Sequence, residues 1–141
     1  ALRRQSSDLG LDGSVRWLGR RTQEQVQAEL MRAHLLLAPS VTARDGDQEG
    51  IPNVLKEAMA CGLPVVSTFH SGIPELVENG VSGYLVPERD ATALAGALAH
   101  LIDHPGCWPA FGRAGRARVE AEYDNDALNR RLESLYAGLL A

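Results

Sequence analysis

Residues 49–68 read EGIPNVLKEAMACGLPVVST and decide the fold of this 141-residue chain. Pro52 suits the first position of a helix, because the N–H group that proline lacks has no intrahelical acceptor there. One face of this predicted helix is apolar and is formed by Val54, Leu55, Ala58 and Met59. Gly62 is typical of the residue that ends a helix. The apolar run Val65–Ser67 follows at once, so the stretch predicts a helix that leads into a buried strand.

Three further short apolar runs predict strands, at Val15–Leu18, Leu35–Ala38 and Tyr84–Val86. The run Leu35–Ala38 shows no polar alternation, which is typical of a parallel strand that is covered on both faces. Amphipathic segments separate the runs. Thr22 and Gln25 have the spacing of a capping box, and Asp90 caps a later helix. Strands that alternate with helices predict an α/β fold with a parallel sheet.

Composition excludes several functional classes. The chain has 14 basic and 18 acidic residues and a formal charge of −4, so a basic nucleic-acid footprint is absent. Hydrophobic residues make up 45% of the chain, enough for a packed core, while no apolar run approaches the ~20 residues of a membrane span. The start of the chain does not resemble a signal peptide. The two cysteines form no disulfide framework, and we expect a reducing cytoplasm.

The loop from Ser40 to Gly50 is the best candidate for a binding site. Parallel sheets bind ligands outside the carboxyl ends of their strands, and this polar loop follows the most apolar strand. The first N–H groups of the next helix, at Asn53, Val54 and Leu55, favour a phosphate. Gly50 allows close approach of the backbone. Glu49 and Glu57 carry carboxylates that accept hydrogen bonds from sugar hydroxyls, so the segment suits a nucleotide-sugar.

These residues resemble the retaining glycosyltransferases of the group 1 family, which have two facing Rossmann-like domains (the GT-B fold). The pair Glu49 and Glu57, with seven residues between, matches that family's signature. Further matching segments follow in order at residues 72–77 and 83–87. The stretch 40–48 is most similar to the bacterial exopolysaccharide branch, of the colanic-acid and amylovoran type. The resemblance implies a Rossmann-like parallel sheet with helices on both faces.

The resemblance also implies roles for individual residues. Glu49 is the catalytic candidate and would contact the donor hexose, and Glu57 would bind the ribose hydroxyls. Backbone groups that hold the sugar and diphosphate would come from Gly50, Ile51, Pro52, Asn53, Val54 and Leu55. Gly19 and Arg20 would contact the base. The reaction implied is retaining transfer from a nucleoside-diphosphate sugar, UDP-sugar by family habit, without a metal or other cofactor.

The chain departs from the family pattern in two ways. The Arg and Lys that grip the diphosphate in this family have no counterpart, and the first two strands and the N-terminal acceptor domain are missing. Residues 1–141 therefore correspond to part of a donor-binding domain, which we expect to be inactive alone. The strand predicted at Val15–Leu18 would lack its usual neighbours. It would pair with the next strand, pair with another chain in a homodimer, or stay unpaired.

Partners and location follow from the resemblance. The acceptor would be a growing glycan or a lipid-linked saccharide, held by the missing domain. The setting would be cytoplasmic, at the inner face of the plasma membrane if the basic stretch Arg113, Arg116 and Arg118 contacts anionic lipid instead of forming a solvated face. Two other functions stay open: a nucleotide or nucleotide-sugar binding module without turnover, and a relative that epimerises a UDP-sugar.

Three smaller motifs have alternative interpretations. Asp45-Gly46-Asp47 has the spacing of a metal-binding Asp-x-Asp site, but the context favours a polar turn, because that site belongs to a different glycosyltransferase architecture. His100, His104 and Cys107 have a spacing that can ligate zinc, and the competing interpretation is a solvated helix face. His70-Ser71 follows a strand, so this pair is expected to line the donor cleft or to be an ordinary loop. We predict no metal site.

Overall fold

The computed structural model describes residues 2–46 and 49–139 of the chain. From Gln23 to Asp103, helices and strands alternate in the order that the sequence predicts. In chain order they are α1 (Leu2–Asp8), α2 (Gln23–Leu30), β1 (Leu36–Leu37), α3 (Asn53–Ala60), β2 (Val65–Thr68), α4 (Ile73–Leu76), β3 (Gly83–Val86), α5 (Ala91–Asp103), a 3₁₀ turn (Pro105–Cys107), α6 (Trp108–Glu122) and α7 (Asn125–Leu139).

The described residues form a parallel sheet of three strands in the order β1-β2-β3. Val65 pairs with Leu36 on one side and with Gly83 on the other, which makes β2 the central strand. All four residues of β2 are buried. Three of the four predicted strands are thus confirmed, and consecutive parallel strands agree with the expected α/β class.

The prediction of a strand at Val15–Leu18 is wrong. These residues lie within the described part of the chain and form no strand. A strand is stabilised by ladder hydrogen bonds to a neighbour, whereas the N–H of Val15 donates to Leu11 O at 3.0 Å in a local turn. Leu18 instead lines a cavity of about 270 Å³ beside Leu36. Within the described residues the segment is unpaired, and the strand-mediated homodimer stays a prediction.

The two faces of the sheet carry separate hydrophobic clusters. Val65 and Leu85 pack with α3 and α4, around the fully buried side chains of Leu55 and Met59. Val66, on the opposite face because side chains alternate along a strand, packs with Leu101 of α5. Helices therefore cover both faces, and the predicted architecture is confirmed.

The ends of α2 and α3 follow from local sequence. The Gln25 N–H donates to Thr22 Oγ1 at 3.4 Å and the Thr22 N–H donates to Gln25 Oε1 at 3.2 Å, so the predicted capping box is present. Pro52 precedes α3 as its N-cap, one position earlier than predicted, because its ψ of 131° is extended. Gly62 ends α3 with a φ of 77°, a left-handed conformation that glycine adopts without steric cost.

The helices α3 and α6 pack closely. A β-carbon placed on Gly112 would overlap the carbonyl oxygen of Gly62, and one placed on Gly115 would lie 3.3 Å from the methyl carbon of Met59. Glycine at these two positions therefore lets α6 support α3 from behind. The last helix, α7, has apolar residues at helical spacing, but these large side chains are exposed, namely Leu128, Leu132, Leu135, Tyr136 and Leu139.

Candidate ligand-binding site

The candidate site lies at the carboxyl edge of the sheet. The strands β1, β2 and β3 are parallel, so the loops that leave them meet at this edge. Side chains at the end of β2 tie the loops together. Ser67 Oγ donates to Ala38 O at 2.7 Å, and Thr68 Oγ1 donates to Ser40 O at 2.6 Å. The loop after β1 therefore starts from a position that β2 determines.

The N-terminus of α3 faces this loop with free backbone donors. Pro52 provides no side-chain cap, and the N–H groups of Asn53 and Val54 have no acceptor among the described residues. The Leu55 N–H donates to Pro52 O at 3.1 Å, so it is less available than predicted. Two free N–H groups and the positive end of the helix dipole favour an anion here.

The carboxylate of Glu57 lies in a hollow between α2 and α3. The hollow has a volume of about 290 Å³ and is lined by Gln23, Gln27, Leu30, Glu57, Ala60 and Cys61. Gln23 Nε2 donates to Glu57 Oε1 at 2.9 Å. Sequence reasoning missed Gln23. Its position just after the Thr22 cap, at the end of the predicted base-contacting loop, is the signal that could have identified it.

Glu49 and Gly50 lie on the exposed part of the loop before α3. No described heavy atom lies within 4 Å of the position that a Gly50 β-carbon would occupy, so open space adjoins the backbone there. Ile51 is half-buried, and a β-carbon on Gly72 would lie 2.9 Å from Ile51 Cγ1. The loop is therefore open at Glu49 and packed at Ile51.

Gly19 and Arg20 are exposed and precede α2. Gly19 has a φ of 66°, which turns the chain just before the Thr22 cap. Since Gln23 contacts Glu57, the end of this loop lies beside the carboxylate that is predicted to bind ribose. The structure thus brings the N-terminus of α2, which follows Arg20, next to Glu57.

A buried histidine joins the loops that follow β1, β2 and β3. His70 is only 1% exposed, and its Nδ1 lies 2.6 Å from Glu88 Oε1. Glu88 also accepts from the Thr42 N–H at 2.8 Å and from Thr42 Oγ1 at 3.1 Å. The hydrogen bond from the Thr42 backbone, and then that from His70, lowers the pKa of Glu88 below its usual 4.5. Sequence reasoning singled out His70 and missed Glu88.

The structure places the proposed metal motifs away from a shared centre. Asp47 of Asp45-Gly46-Asp47 lies outside the described residues. His104 Nδ1 lies 2.8 Å from His100 O, and Cys107 Sγ donates to His104 O at 3.0 Å. Within residues 2–46 and 49–139, no three histidine, cysteine, aspartate or glutamate side chains cluster in a way that suits a metal ion. That the site requires no metal stays a prediction.

Several basic side chains that sequence analysis considered have partners outside the candidate site. Lys56 Nζ lies 5.8 Å from the centre of the Tyr123 ring. In the basic stretch of α6, Arg116 pairs with Glu120 at 2.7 Å and Arg118 donates to Glu75 O at 2.8 Å. None of the described helices combines the length and the hydrophobicity that a membrane span requires.

Comparison with known sequences supports the family resemblance that the sequence motifs indicate. Residues 1–104 match the sequence profile of the family Glycosyl transferases group 1. The chain is 50% identical over 127 residues to the putative colanic acid biosynthesis glycosyltransferase WcaL of Salmonella typhimurium, covering 89% of this chain and 31% of that protein. It is 46% identical over 129 residues to the amylovoran biosynthesis glycosyltransferase AmsK of Erwinia amylovora, covering 92% and 32%.

Solved structures agree at the level of the fold. The Anabaena protein Alr3699/HepE in complex with UDP-glucose superposes with a TM-score of 0.85 at 28% identity, covering 97% of this chain and 36% of that one. A sucrose-phosphate synthase from Thermosynechococcus elongatus gives 0.85 at 27% identity, covering 99% and 33%. The chain thus spans about a third of the length of the relatives that it matches.

Proposed function

The chain belongs to the glycosyl transferases group 1 family, and from this premise we propose that it is the donor-binding part of a retaining glycosyltransferase. The substrate in this proposal is a nucleoside-diphosphate sugar, specifically a UDP-sugar. The relatives named for colanic acid and amylovoran biosynthesis, and the UDP-glucose complex of Alr3699/HepE, support this choice. The product is an extended exopolysaccharide or another surface glycan.

One arrangement carries the proposal: free N–H groups at the start of α3 lie one helical turn from the carboxylate of Glu57. The N–H groups of Asn53 and Val54 suit the diphosphate. Glu57, in the hollow between α2 and α3, accepts from the two ribose hydroxyls once Gln23 gives up its hydrogen bond. Gly19 and Arg20, before the same helix α2, contact the base.

The sugar itself lies over the exposed loop in this proposal. Glu49 contacts the hexose hydroxyls, and the open space beside Gly50 admits the ring. During transfer the bond between the anomeric carbon and the diphosphate oxygen breaks, the acceptor hydroxyl oxygen bonds to the same face of that carbon, and the hydroxyl proton passes to the leaving diphosphate. Negative charge grows on the leaving diphosphate, where the α3 N–H groups and the helix dipole stabilise it. No metal is part of this proposal.

The acceptor and the cellular setting lie beyond the residues of this chain. We place the acceptor, a glycan or a lipid-linked saccharide, on the N-terminal domain of the whole enzyme. The proposed location is cytoplasmic, at the inner face of the membrane, with Arg113 of α6 as an exposed basic contact for anionic lipid. We expect the 141-residue chain alone to release no sugar from UDP-sugars. Measurable transfer by the isolated chain would contradict that expectation.

Calorimetric titration tests the donor site. UDP, GDP and ADP are titrated into the wild-type chain, the Glu57→Ala variant and the Glu133→Ala control, in which an exposed carboxylate of α7 is removed. We expect UDP to bind best. Glu57→Ala should weaken UDP by about 10- to 100-fold, because a charge-assisted hydrogen bond contributes about 1.5–3 kcal/mol. Equal binding of UDP by wild type and Glu57→Ala would remove the ribose assignment.

One observation favours a second function, a nucleotide-binding module without turnover. Lys56 is the only lysine of the chain and the only basic residue of α3, and its Nζ lies over the Tyr123 ring, so this cation already has a partner. Sequence upstream of residue 1 separates the two functions. An acceptor domain with the family's Arg and Lys supports the transferase, and a natural protein without them supports the binding module.

A further inference from the structure

The loop that carries Glu49 is held at one end by the last residue of β2 and at the other end by the turn that follows β2. At the first end, Thr68 Oγ1 donates to Ser40 O at 2.6 Å and accepts from the Ser40 N–H at 3.0 Å. At the far end, Gly72 packs so closely on Ile51 that a β-carbon would lie 2.9 Å from Ile51 Cγ1. The exposed residues 49 and 50 lie between these two contacts.

A third contact holds the loop through Thr42. Both carboxylate oxygens of Glu88 are used: Oε2 accepts from the Thr42 N–H at 2.8 Å, and Oε1 lies 3.1 Å from Thr42 Oγ1 and 2.6 Å from His70 Nδ1. Arg89 donates to Thr42 O at 2.6 Å. The backbone N–H and C=O of Thr42 are therefore both bound by residues that follow β3.

The proton of His70 has a defined place in this contact. Nε2 is buried and has no hydrogen-bond partner in the described part of the chain. A proton on Nε2 would therefore lack an acceptor, which is costly in a buried site. The proton belongs on Nδ1, where it donates to Glu88. The histidine thus orients the carboxylate that holds Thr42.

The backbone around this network is strained in a way that is typical of functional sites. Ser71 has a φ of 45° and Arg89 a φ of 61°, and they are the non-glycine residues with positive φ in the described ranges. Each directly follows a member of the pair His70 and Glu88. Such conformations persist where the surrounding contacts determine them. The contacts among His70, Glu88 and Thr42 therefore have a role beyond packing at the carboxyl edge of the sheet.

We propose that His70 and Glu88 are positioning residues, which hold the loop of Glu49 against the donor sugar through Thr42. This inference rests on the proposed donor site. Neither residue has to touch the substrate. Together with the contacts at Ser40 and Ile51, they fix the described ends of the loop before the donor arrives, so that less ordering has to accompany binding.

The geometry requires a carboxylate at position 88. Glu88 accepts the Thr42 N–H with one oxygen and the His70 proton with the other. Glutamine has the same shape but offers one oxygen and one NH₂ group, so it satisfies only one of these two donors. Glu88→Gln therefore separates the proposed role from simple packing, because it removes a hydrogen bond without removing volume.

The histidine has a similar isosteric test. In His70→Asn the side-chain NH₂ group can occupy the place of Nδ1–H and donate to Glu88, whereas His70→Ala provides no donor. We expect His70→Asn to recover most of the loop protection and of the UDP-glucose affinity that His70→Ala loses. His104→Ala and Glu122→Gln are the matched controls, since both side chains are exposed and lie outside the network.

Hydrogen exchange of the 141-residue chain is the first measurement. His70→Ala and Glu88→Gln should accelerate exchange of the hydrogen-bonded amides of Ser40, Thr42 and Gly46 by about tenfold, because each variant loses a buried or charge-assisted hydrogen bond. Exchange in β2 and α5 should stay within about twofold of wild type, as should the whole loop in the controls. Uniform acceleration across the chain, or an unchanged loop, would overturn the proposal.

Nitrogen-15 spectra of the His70 ring and titration with UDP-glucose complete the test. The spectra should show the Nδ1-protonated tautomer in the wild-type chain, and a Nε2-protonated ring would overturn the proposal. UDP-glucose should bind about five- to tenfold more weakly to His70→Ala, with recovery in His70→Asn. Equal affinity despite a loosened loop would also overturn it. A wild-type chain that binds no UDP-glucose refutes the proposed function instead, while the exchange data still decide whether His70 and Glu88 hold the loop.

Discussion

The sheet region and the first segment of the chain are stabilised by different kinds of contact. In the region from α3 to α6, Leu55, Met59 and Leu101 are fully buried against the sheet. In residues 2–22 nearly every side chain is exposed, and the contacts are surface pairs such as Ser7 with Asp12 at 2.7 Å. The sheet region is therefore stabilised by its own buried side chains. The first segment depends on surface contacts, which contribute little to the free energy of folding.

The largest expected effect is a core truncation. Leu55→Ala should lower the free energy of unfolding by about 2–5 kcal/mol, because it leaves a cavity at the centre of the α3 face. The matched variant Leu9→Ala, at a side chain that is 65% exposed, should change it by less than about 0.5 kcal/mol. Urea unfolding of both variants measures the difference, and similar losses would abolish the contrast between the two regions.

The second prediction concerns the packing of α6 on α3. Gly112→Ala should destabilise the chain by about 1–3 kcal/mol, since the new methyl group meets the Gly62 carbonyl. Gly96→Ala in α5 should have the opposite sign, a gain of about 0.4–1 kcal/mol, because no described atom lies within 4 Å of the added carbon. If the two substitutions shift the melting temperature in the same direction, the close packing of α3 and α6 does not limit the stability of the chain.

The third prediction uses pH. The pKa of Glu88 is lowered below 4.5 by the Thr42 backbone and by His70, so its ionised form stabilises the folded state. This contribution is complete above pH 4.5 and is lost as pH falls through the lowered pKa. The melting temperature of wild type should therefore fall more between pH 5 and pH 3 than that of Glu88→Gln (about the range of carboxyl titration). Parallel curves would contradict the assignment. Glu24, whose pKa is also lowered, is common to both proteins.

The smallest expected effect is at the first segment. Arg16 donates to Glu29 at 2.7 Å, yet their side chains are 69% and 36% exposed. A double-mutant cycle of Arg16→Ala and Glu29→Ala should give a coupling below about 1 kcal/mol that decreases with salt. A larger, salt-independent coupling would mean that the segment before α2 is held as firmly as the sheet.

Much of the fold was predictable from short patterns. The apolar runs at β1, β2 and β3 and the Thr22 capping box depend on neighbours within a few residues, and each was confirmed. Val15–Leu18 has the same local pattern and forms no strand, because strand formation requires a partner that no local pattern reveals. Family membership followed from the motifs around Glu49 and Glu57 and was likewise confirmed.

The candidate site was predictable only in part. The α3 N-terminus and Glu57 follow from a helix whose start could be predicted, whereas Gln23 reaches Glu57 across 34 positions of sequence and His70 reaches Glu88 across 18. Spacing in the chain determined which residues share a helix or a strand, because helix and strand periods are local. Only the tertiary structure decided which side chains meet, since the parallel sheet alone brings loops that are distant in sequence to one edge.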